Sequence, residues 1–301
     1  MNLHVGTSGW HYPAGRGTWN GVFYPPRRGR GFDELSYYAE HFDTVEVNAS
    51  FYRPIDAPMA ESWLRRTPAD FVFSVKLFLK FTHPDMYLKR FDVKDWDVTR
   101  GDVDQFRAGV APIADAGRLG AILAQFPSSF HAEPDTRAYV EWLLDALAGL
   151  PVAIELRHRS WDEDDRTASL LRAHGASRVA ADSPVSPLGP IDDAAVTSAP
   201  VYLRFHGRNA ERWWQHEEAE DRYDYLYSGQ ELTPVADAVR PMTTSTRRVL
   251  VYFNNHFSAK AVANAAILKR QLGDLVPGDY PVEMVRRYPE LEGVVGTVGL
   301  F

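Results

Sequence analysis

The 301-residue chain contains no cysteine, which removes disulfides, thiolate zinc sites and a cysteine nucleophile together. It also lacks any apolar run near the ~18 residues that would suggest a membrane span. The first strand-like run begins almost at Met1, leaving no charged n-region and apolar core for a signal peptide. The expectation is a cytoplasmic protein, in which the sequon Asn48-Ala49-Ser50 is an accident of a strand end. No glycine-rich dinucleotide fingerprint, P-loop or GxSxG elbow occurs, so those nucleotide folds and the serine-hydrolase elbow have no support. An excess of basic charge is lacking too: 33 Lys and Arg stand against 40 Asp and Glu, a modest formal net charge of -7. The one basic cluster, Arg27-Arg28-Gly29-Arg30, sits in a Gly/Pro-rich loop without an extended basic face, so nucleic-acid binding is not indicated by charge.

What is present suffices for a full core, with 45% hydrophobic and 24% charged residues and no internal repeat or low-complexity segment. Eight apolar runs end in polar residues: Leu3 to Trp10, Asp43 to Phe51, Phe71 to Leu77, Gly120 to Pro127, Val152 to Arg157, Arg178 to Pro184, Val201 to Gly207 and Val249 to Asn255. Side chains alternate faces along a strand, so Glu46 shares a face with Asn48, Ser74 with Lys76 and Glu155 with Arg157. The same reading pairs Ala180 with Asp182, Arg204 with His206 and Tyr252 with Asn254. Helical patterns fill spacers at residues 32–42, 138–150 and 167–175. Strands alternating with helices imply parallel pairing through crossovers, and eight units imply a single TIM-barrel-like (β/α)8 domain over residues 1–273. Residues 274–301, with Pro277, Gly278 and Pro281, read as an irregular extension packing back on the barrel. Long loops at 82–105 and 208–231 fall on the mouth side, where the strands' carboxyl ends carry the active site in such barrels.

Several strings occur in order along the chain: GTSGWHY (Gly6 to Tyr12), FYP (Phe23 to Pro25), TVEVNASFYR (Thr44 to Arg53), FSVKL followed by Thr82-His83, QFP (Gln125 to Pro127), ELRHRSW (Glu155 to Trp161), YLRFHGR (Tyr202 to Arg208), RYDYLYS (Arg222 to Ser228) and YFNNH (Tyr252 to His256). Together they resemble the YecE-like family, domain of unknown function 72, as far as about Gly273. The resemblance implies a TIM-barrel-like fold and brings no established reaction with it.

The mouth residues each carry two readings. Glu46 and Glu155 lie within apolar strands, and a buried carboxylate must be paired or hydrogen-bonded. Either Arg157 or Arg204 holds Glu155 in an ion network, or one carboxylate works as acid or base with Glu46 or Asp182 across the mouth. Lys76, Arg157 and Arg204 suit a phosphate or carboxylate, unless they are spent on pairing. His83 and His206 can act as acid and base, but neither has a ligand spacing such as HExxH, so no metal ligand is assigned. Asn48, Gln125, Asn254 and Asn255 read as neutral hydrogen-bonding groups. Thr7 and Ser8, in the turn between Gly6 and Gly9, offer either amides to an anion or a rim turn that gives clearance. Trp10, Tyr12 and Tyr52, with Asp224 and Tyr225 in the seventh loop, supply stacking and polar contacts for a sugar ring or base.

From these residues the leading expectation is an enzyme that acts on a small anionic or sugar-containing substrate by carboxylate acid/base chemistry, most simply hydrolysis. Its catalytic set is Glu155, Glu46, Asp182 and His206. The alternative is a non-catalytic binding protein for an anionic ligand or a nucleic-acid end. Substrate, cofactor and oligomeric state are not written in the sequence. If open carboxylates dominate the site, catalysis gains; if arginine and aromatics dominate and the carboxylates are paired, binding gains.

Overall fold

The computed structural model describes residues 2–163, 165–189, 197–244 and 248–298. Eight parallel strands pair in chain order and close into a barrel. They are β1 (Leu3–Ser8), β2 (Thr44–Val47), β3 (Val72–Lys76), β4 (Leu119–Phe126), β5 (Val152–Leu156), β6 (Ser177–Asp182), β7 (Val201–Phe205) and β8 (Val249–Phe253). Closure comes from β8 lying against β1, with Leu3 opposite Val249 and Thr7 opposite Phe253. The TIM-barrel-like architecture expected from the alternation is present, and each apolar run overlaps its strand. The three helical spacers form Glu34–Ala39, Pro134–Ala146 and Asp165–Ala173. Among the further outer helices, Arg100–Asp115 and Gly229–Val239 were masked in the sequence by internal prolines, Pro112 and Pro234. Both begin at capping boxes, Thr99 with Asp102 and Ser228 with Glu231, which satisfy the free amides of the first turn.

The interior changes character from bottom to top. Its lower part is a separate apolar cluster of Val72, Ala121, Leu123, Ala153, Val179, Tyr202, Leu250 and Tyr252. The two tyrosine hydroxyls then begin the polar part. The Tyr252 hydroxyl lies 2.7 Å from Thr44 Oγ1 and 3.0 Å from Ser74 Oγ, while the Tyr202 hydroxyl donates to Glu46 at 2.7 Å. Above them the strand ends present Lys76, Gln125, Glu155 and Arg204.

Register also corrects one strand. Val179 and Ala181 of β6 lie opposite Tyr202 and Arg204 of β7, so those residues face inward, whereas Asp182 lies opposite Phe205 and faces the helices. The shared face inferred for Ala180 and Asp182 is therefore the outer one. The run from Val179 to Ala181 is small and apolar throughout, so it offered no alternation from which to choose a parity.

The chain after Gly273 is more ordered than an irregular extension. Asp279–Pro281 and Gly296–Val298 form a two-stranded parallel ladder, and Tyr280, Met284, Tyr288 and Leu291 join the main core. The 82–105 segment contains a helix, Pro84–Phe91, and the start of Arg100–Asp115. A third mouth-side excursion, residues 9–33, buries Trp19, Phe23 and Tyr24 completely.

Gly6 sets how closely β1 can approach β2. A Cβ there would stand 2.3 Å from the Thr44 carbonyl oxygen and 2.9 Å from the Tyr38 hydroxyl. Backbone has to move to relieve such a contact, so Gly6→Ala is expected to destabilise the fold by about 1–3 kcal/mol. Denaturant unfolding checks this; an unchanged midpoint would mean that the strands separate without cost.

Candidate functional site

The site is built around Arg204, which reaches across the barrel from β7. Its Nε and Nη2 each donate to one Glu46 oxygen at 2.8 Å, and Nη1 donates to Glu155 Oε2. The other Glu155 oxygen accepts from Arg157 Nε at 2.5 Å. Arg204, Glu46 and Glu155 are 1%, 0% and 2% exposed. Burial alone would raise the Glu46 carboxyl, but the Arg204 charge and hydrogen bonds, helped by Tyr202, hold it below the usual carboxylate range. Burial opposes ionisation of Glu155 as well, and Arg157, Arg204 and His206 hold it well below that range. Both carboxylates are thus ionised and engaged.

His206 completes this layer. Its Nε2 lies 3.3 Å from Glu155 Oε1, and its Nδ1 lies 3.0 Å from Asn254 Nδ2. Burial outweighs the nearby Glu155 charge and brings its pKa down to about 4. The ring is therefore neutral at mildly acidic pH and adds no charge to the mouth.

Lys76 is the exception among the cations. It is buried, donates to Gln125 Oε1 at 2.9 Å, and stands 4.0 Å from the centroid of the Phe51 ring. Among the described residues it makes no ion pair. Burial, followed by the charges of Arg204 and Arg157, lowers its pKa to about 7, with Glu46 and Glu155 offsetting part of the effect.

These groups form one side of a cavity of about 340 Å³, lined by Trp10, Tyr12, Asn48, Tyr52, Lys76, Gln125, Arg204 and Asn254, together with Gly9, His11, Ala49, Tyr223 and His256. The eight named first were all anticipated. Glu46, Glu155, Arg157 and His206 do not line the cavity; Glu46 and Glu155 fix the arginine that does, and Arg157 and His206 hold Glu155. His83 is also outside the lining, edge-on to Phe51 at 4.9 Å, and burial brings it down to about 3.

Five anticipated residues have structural work elsewhere. Asp182 accepts two hydrogen bonds from Arg208 at 2.9 Å and one from the Tyr227 hydroxyl at 2.6 Å. Thr7 faces outward, where its amide donates to the Tyr38 hydroxyl at 2.9 Å. Asp224 pairs with Lys260. The Tyr225 hydroxyl donates to Glu231 at 2.6 Å, and its carbonyl accepts from Asn255 Nδ2 at 2.7 Å. Ser8, next to outward-facing Thr7, faces in toward Glu46. The Gly6 to Gly9 turn is a rim turn, since the Gly9 amide donates to the Glu46 carbonyl at 2.8 Å and Gly9 has φ of 91°. Its engaged amides provide no anion nest.

Two lining side chains, His11 and His256, escaped the sequence reading as a site. His11 is exposed at the cavity edge, and Glu34, itself held by Arg28, accepts from its Nδ1. His256 stacks on Tyr12 with centroids 4.5 Å apart, while Tyr223 meets His256 at 5.0 Å. Tyr223 and His256 occur inside noted motifs, but nothing in the sequence brings those motifs together. Among the described residues no group of three or more His, Asp or Glu is placed to hold a metal ion.

Removing one partner from this network leaves a buried charge uncompensated. Glu46→Ala is expected to cost about 3–5 kcal/mol of stability, and Glu46→Gln less, since the amide still accepts one hydrogen bond. Equal, small losses in both variants, measured by chemical denaturation, would show that the pairing is not structural.

Comparison with known proteins agrees with this architecture. The family model described as "Protein of unknown function DUF72" matches residues 4–283. The UPF0759 protein YunF of Bacillus subtilis (strain 168) is 28% identical over 287 residues, spanning 92% of this chain and 96% of that protein. The UPF0759 protein YecE of Escherichia coli (strain K12) is 28% identical over 170 residues, 54% of this chain and 58% of that protein. The crystal structure of a DUF72 family protein (TM1631) from Thermotoga maritima MSB8 superposes with a TM-score of 0.75 at 35% identity, covering 90% of this chain and 99% of that one. That of EF0366 from Enterococcus faecalis V583 gives a TM-score of 0.73 at 24% identity over 90% and 95% of the two chains, a likeness of fold. The barrel, its ordered motifs and a family match over most of its length place this chain in the DUF72 family.

Proposed function

We propose that the barrel mouth binds a small anionic molecule, with Lys76 as the recognising cation and the aromatic rim stacked on a flat or ring-shaped part of the ligand. The charge balance carries this reading. Arg157 and Arg204 are offset by Glu46 and Glu155, so Lys76 supplies the surplus positive charge at the cavity wall. A cation without a carboxylate partner in a partly dry site attracts an anion more strongly than one in water. Trp10, Tyr12, Tyr52 and Tyr223 provide the stacking surfaces. Asn48, also in the lining, has a buried Oδ1 with no hydrogen-bond partner. Such an acceptor suits a ligand hydroxyl or amine.

Hydrolysis by a carboxylate pair has less behind it. A general acid must hold a proton near neutral pH, whereas Glu46 and Glu155 are both driven to the ionised form. Asp182 is on the other side of the sheet. Paired carboxylates and a lining of arginine, lysine and aromatic groups support the binding reading over hydrolysis.

Sulfate is a suitable probe because its charge is constant across the useful pH range. Calorimetric titration at constant ionic strength is expected to show binding at pH 6 that weakens as Lys76 loses its proton, approaching roughly tenfold for each unit above about 7. Lys76→Met should abolish it. No binding by the wild type, or equal binding by both proteins, would overturn the reading.

Stability gives a second check. The folded Lys76 pKa of about 7 lies below the ordinary lysine value of about 10.4, so between these values the unfolded chain binds more protons. Stability then rises with pH through that window, and the buried charge is most costly below it. Lys76→Met is expected to raise the denaturation midpoint at pH 6 and to flatten its dependence between pH 7 and 9. A parallel shift of the whole curve would assign the gain to packing.

A further inference from the structure

We propose that Lys76 is also an amine nucleophile, and that the mouth accepts an aldehyde or ketone bearing an anionic group whose carbonyl carbon condenses with Nζ to form an imine. This rests on the anion-binding reading of the same cavity. It adds a covalent step to that reading and names the substrate class.

The geometry separates Lys76 from the chain's other five lysines. Lys80, Lys260 and Lys269 are ion-paired with Asp102, Asp224 and Asp274. Lys89 and Lys94 are exposed. Lys269 is also buried and lines a second cavity, but its charge is held by Asp274; among the described residues Lys76 is the one buried, cavity-lining lysine without a carboxylate partner, with Gln125 Oε1 as its hydrogen-bond acceptor and the Phe51 face beside it. One hydrogen bond to Nζ restricts where the amine points and leaves the nitrogen open to a molecule in the cavity. The same burial and neighbouring guanidinium charges that bring its pKa to about 7 supply free amine near neutral pH, which an ordinary lysine scarcely does.

The step balances without an oxidant or reductant. The amine lone pair forms the C–N bond as the carbonyl π bond opens. Two amine hydrogens leave with the carbonyl oxygen as water, and C=N forms. Protonation of the imine restores a positive charge at the Lys76 position, so the surplus positive charge facing the anionic group is kept. His11, oriented through Nδ1 by Glu34 at the cavity edge, is an imidazole suited to carrying protons between carbinolamine and solvent.

Glyoxylate, an aldehyde joined to a carboxylate, is the probe. Wild-type protein is incubated with it at pH 7 and reduced with borohydride, and carboxymethyl-lysine is located by mass spectrometry of peptides. Labelling at Lys76 is expected to be roughly tenfold or more faster than at exposed Lys89 and Lys94, given the free amine that burial supplies at Lys76, and to be slowed by sulfate. Lys76→Arg should keep sulfate binding and lose the label at that position. If wild type binds sulfate yet labels Lys76 no faster than the exposed lysines, the imine is refuted and anion binding stands. Rapid labelling of Lys76 with no sulfate binding would support the amine nucleophile and overturn the anion-binding reading.

Discussion

The contact of Arg204 with Glu46 and Glu155 is the constraint on which the rest of the mouth depends. The arginine starts on β7 and grips side chains from β2 and β5, so one guanidinium ties together distant arcs of the barrel wall. Placing three ions where almost no solvent reaches is favourable only if nearly every polar atom has a partner. Here Tyr202 and Arg157 take the remaining carboxylate positions. The polar upper barrel is therefore as determined in geometry as the apolar cluster beneath it.

Once those charges are matched, the network has little chemistry of its own. Its carboxylates are too strongly held in the ionised form to donate protons, and His206 is kept neutral by burial. Its effect falls on Lys76, which experiences the guanidinium charges of Arg204 and Arg157 before the opposing carboxylates. An interior built for electrostatic closure thus leaves one weakly partnered amine at the cavity wall. The proposed anion binding and imine formation both rest on that amine.

Much of this was legible in the sequence because a strand's face alternates strictly. Glu46, Lys76, Glu155, Arg204, His206 and Asn254 could be put on one face from their offsets to neighbouring apolar residues. The rule failed for Asp182, where three small residues precede it. Thr7 was drawn in with the Gly6 to Gly9 turn, although it belongs to β1 and lies on its outer face. Asp224, Tyr225 and Asn255 were drawn into the site by proximity to motifs, although their partners lie in other segments. No local pattern reports such pairings. For the same reason His11 with Glu34, and Tyr223 with His256, emerged only when the loops were folded over the barrel.

Those misplaced residues explain how the seventh loop becomes a wall of the cavity. Asp182 and the Gly207 amide both engage the Tyr227 hydroxyl. Asn264 makes reciprocal hydrogen bonds to the Tyr227 backbone, donating at 2.7 Å and accepting at 3.0 Å, and Asn255 holds the Tyr225 carbonyl. The backbone just after Tyr223 is thereby fixed to β6, β8 and the helix Lys260–Leu272 by polar contacts outside the barrel. Two independent systems converge on one cavity, an ion network inside the sheet that positions the charged floor and a hydrogen-bonded clamp outside it that positions the aromatic rim. Because they share no side chain, loop substitutions can reshape the rim without disturbing the buried ions, and the physical demands of charge burial restrict change in the floor far more than in the wall.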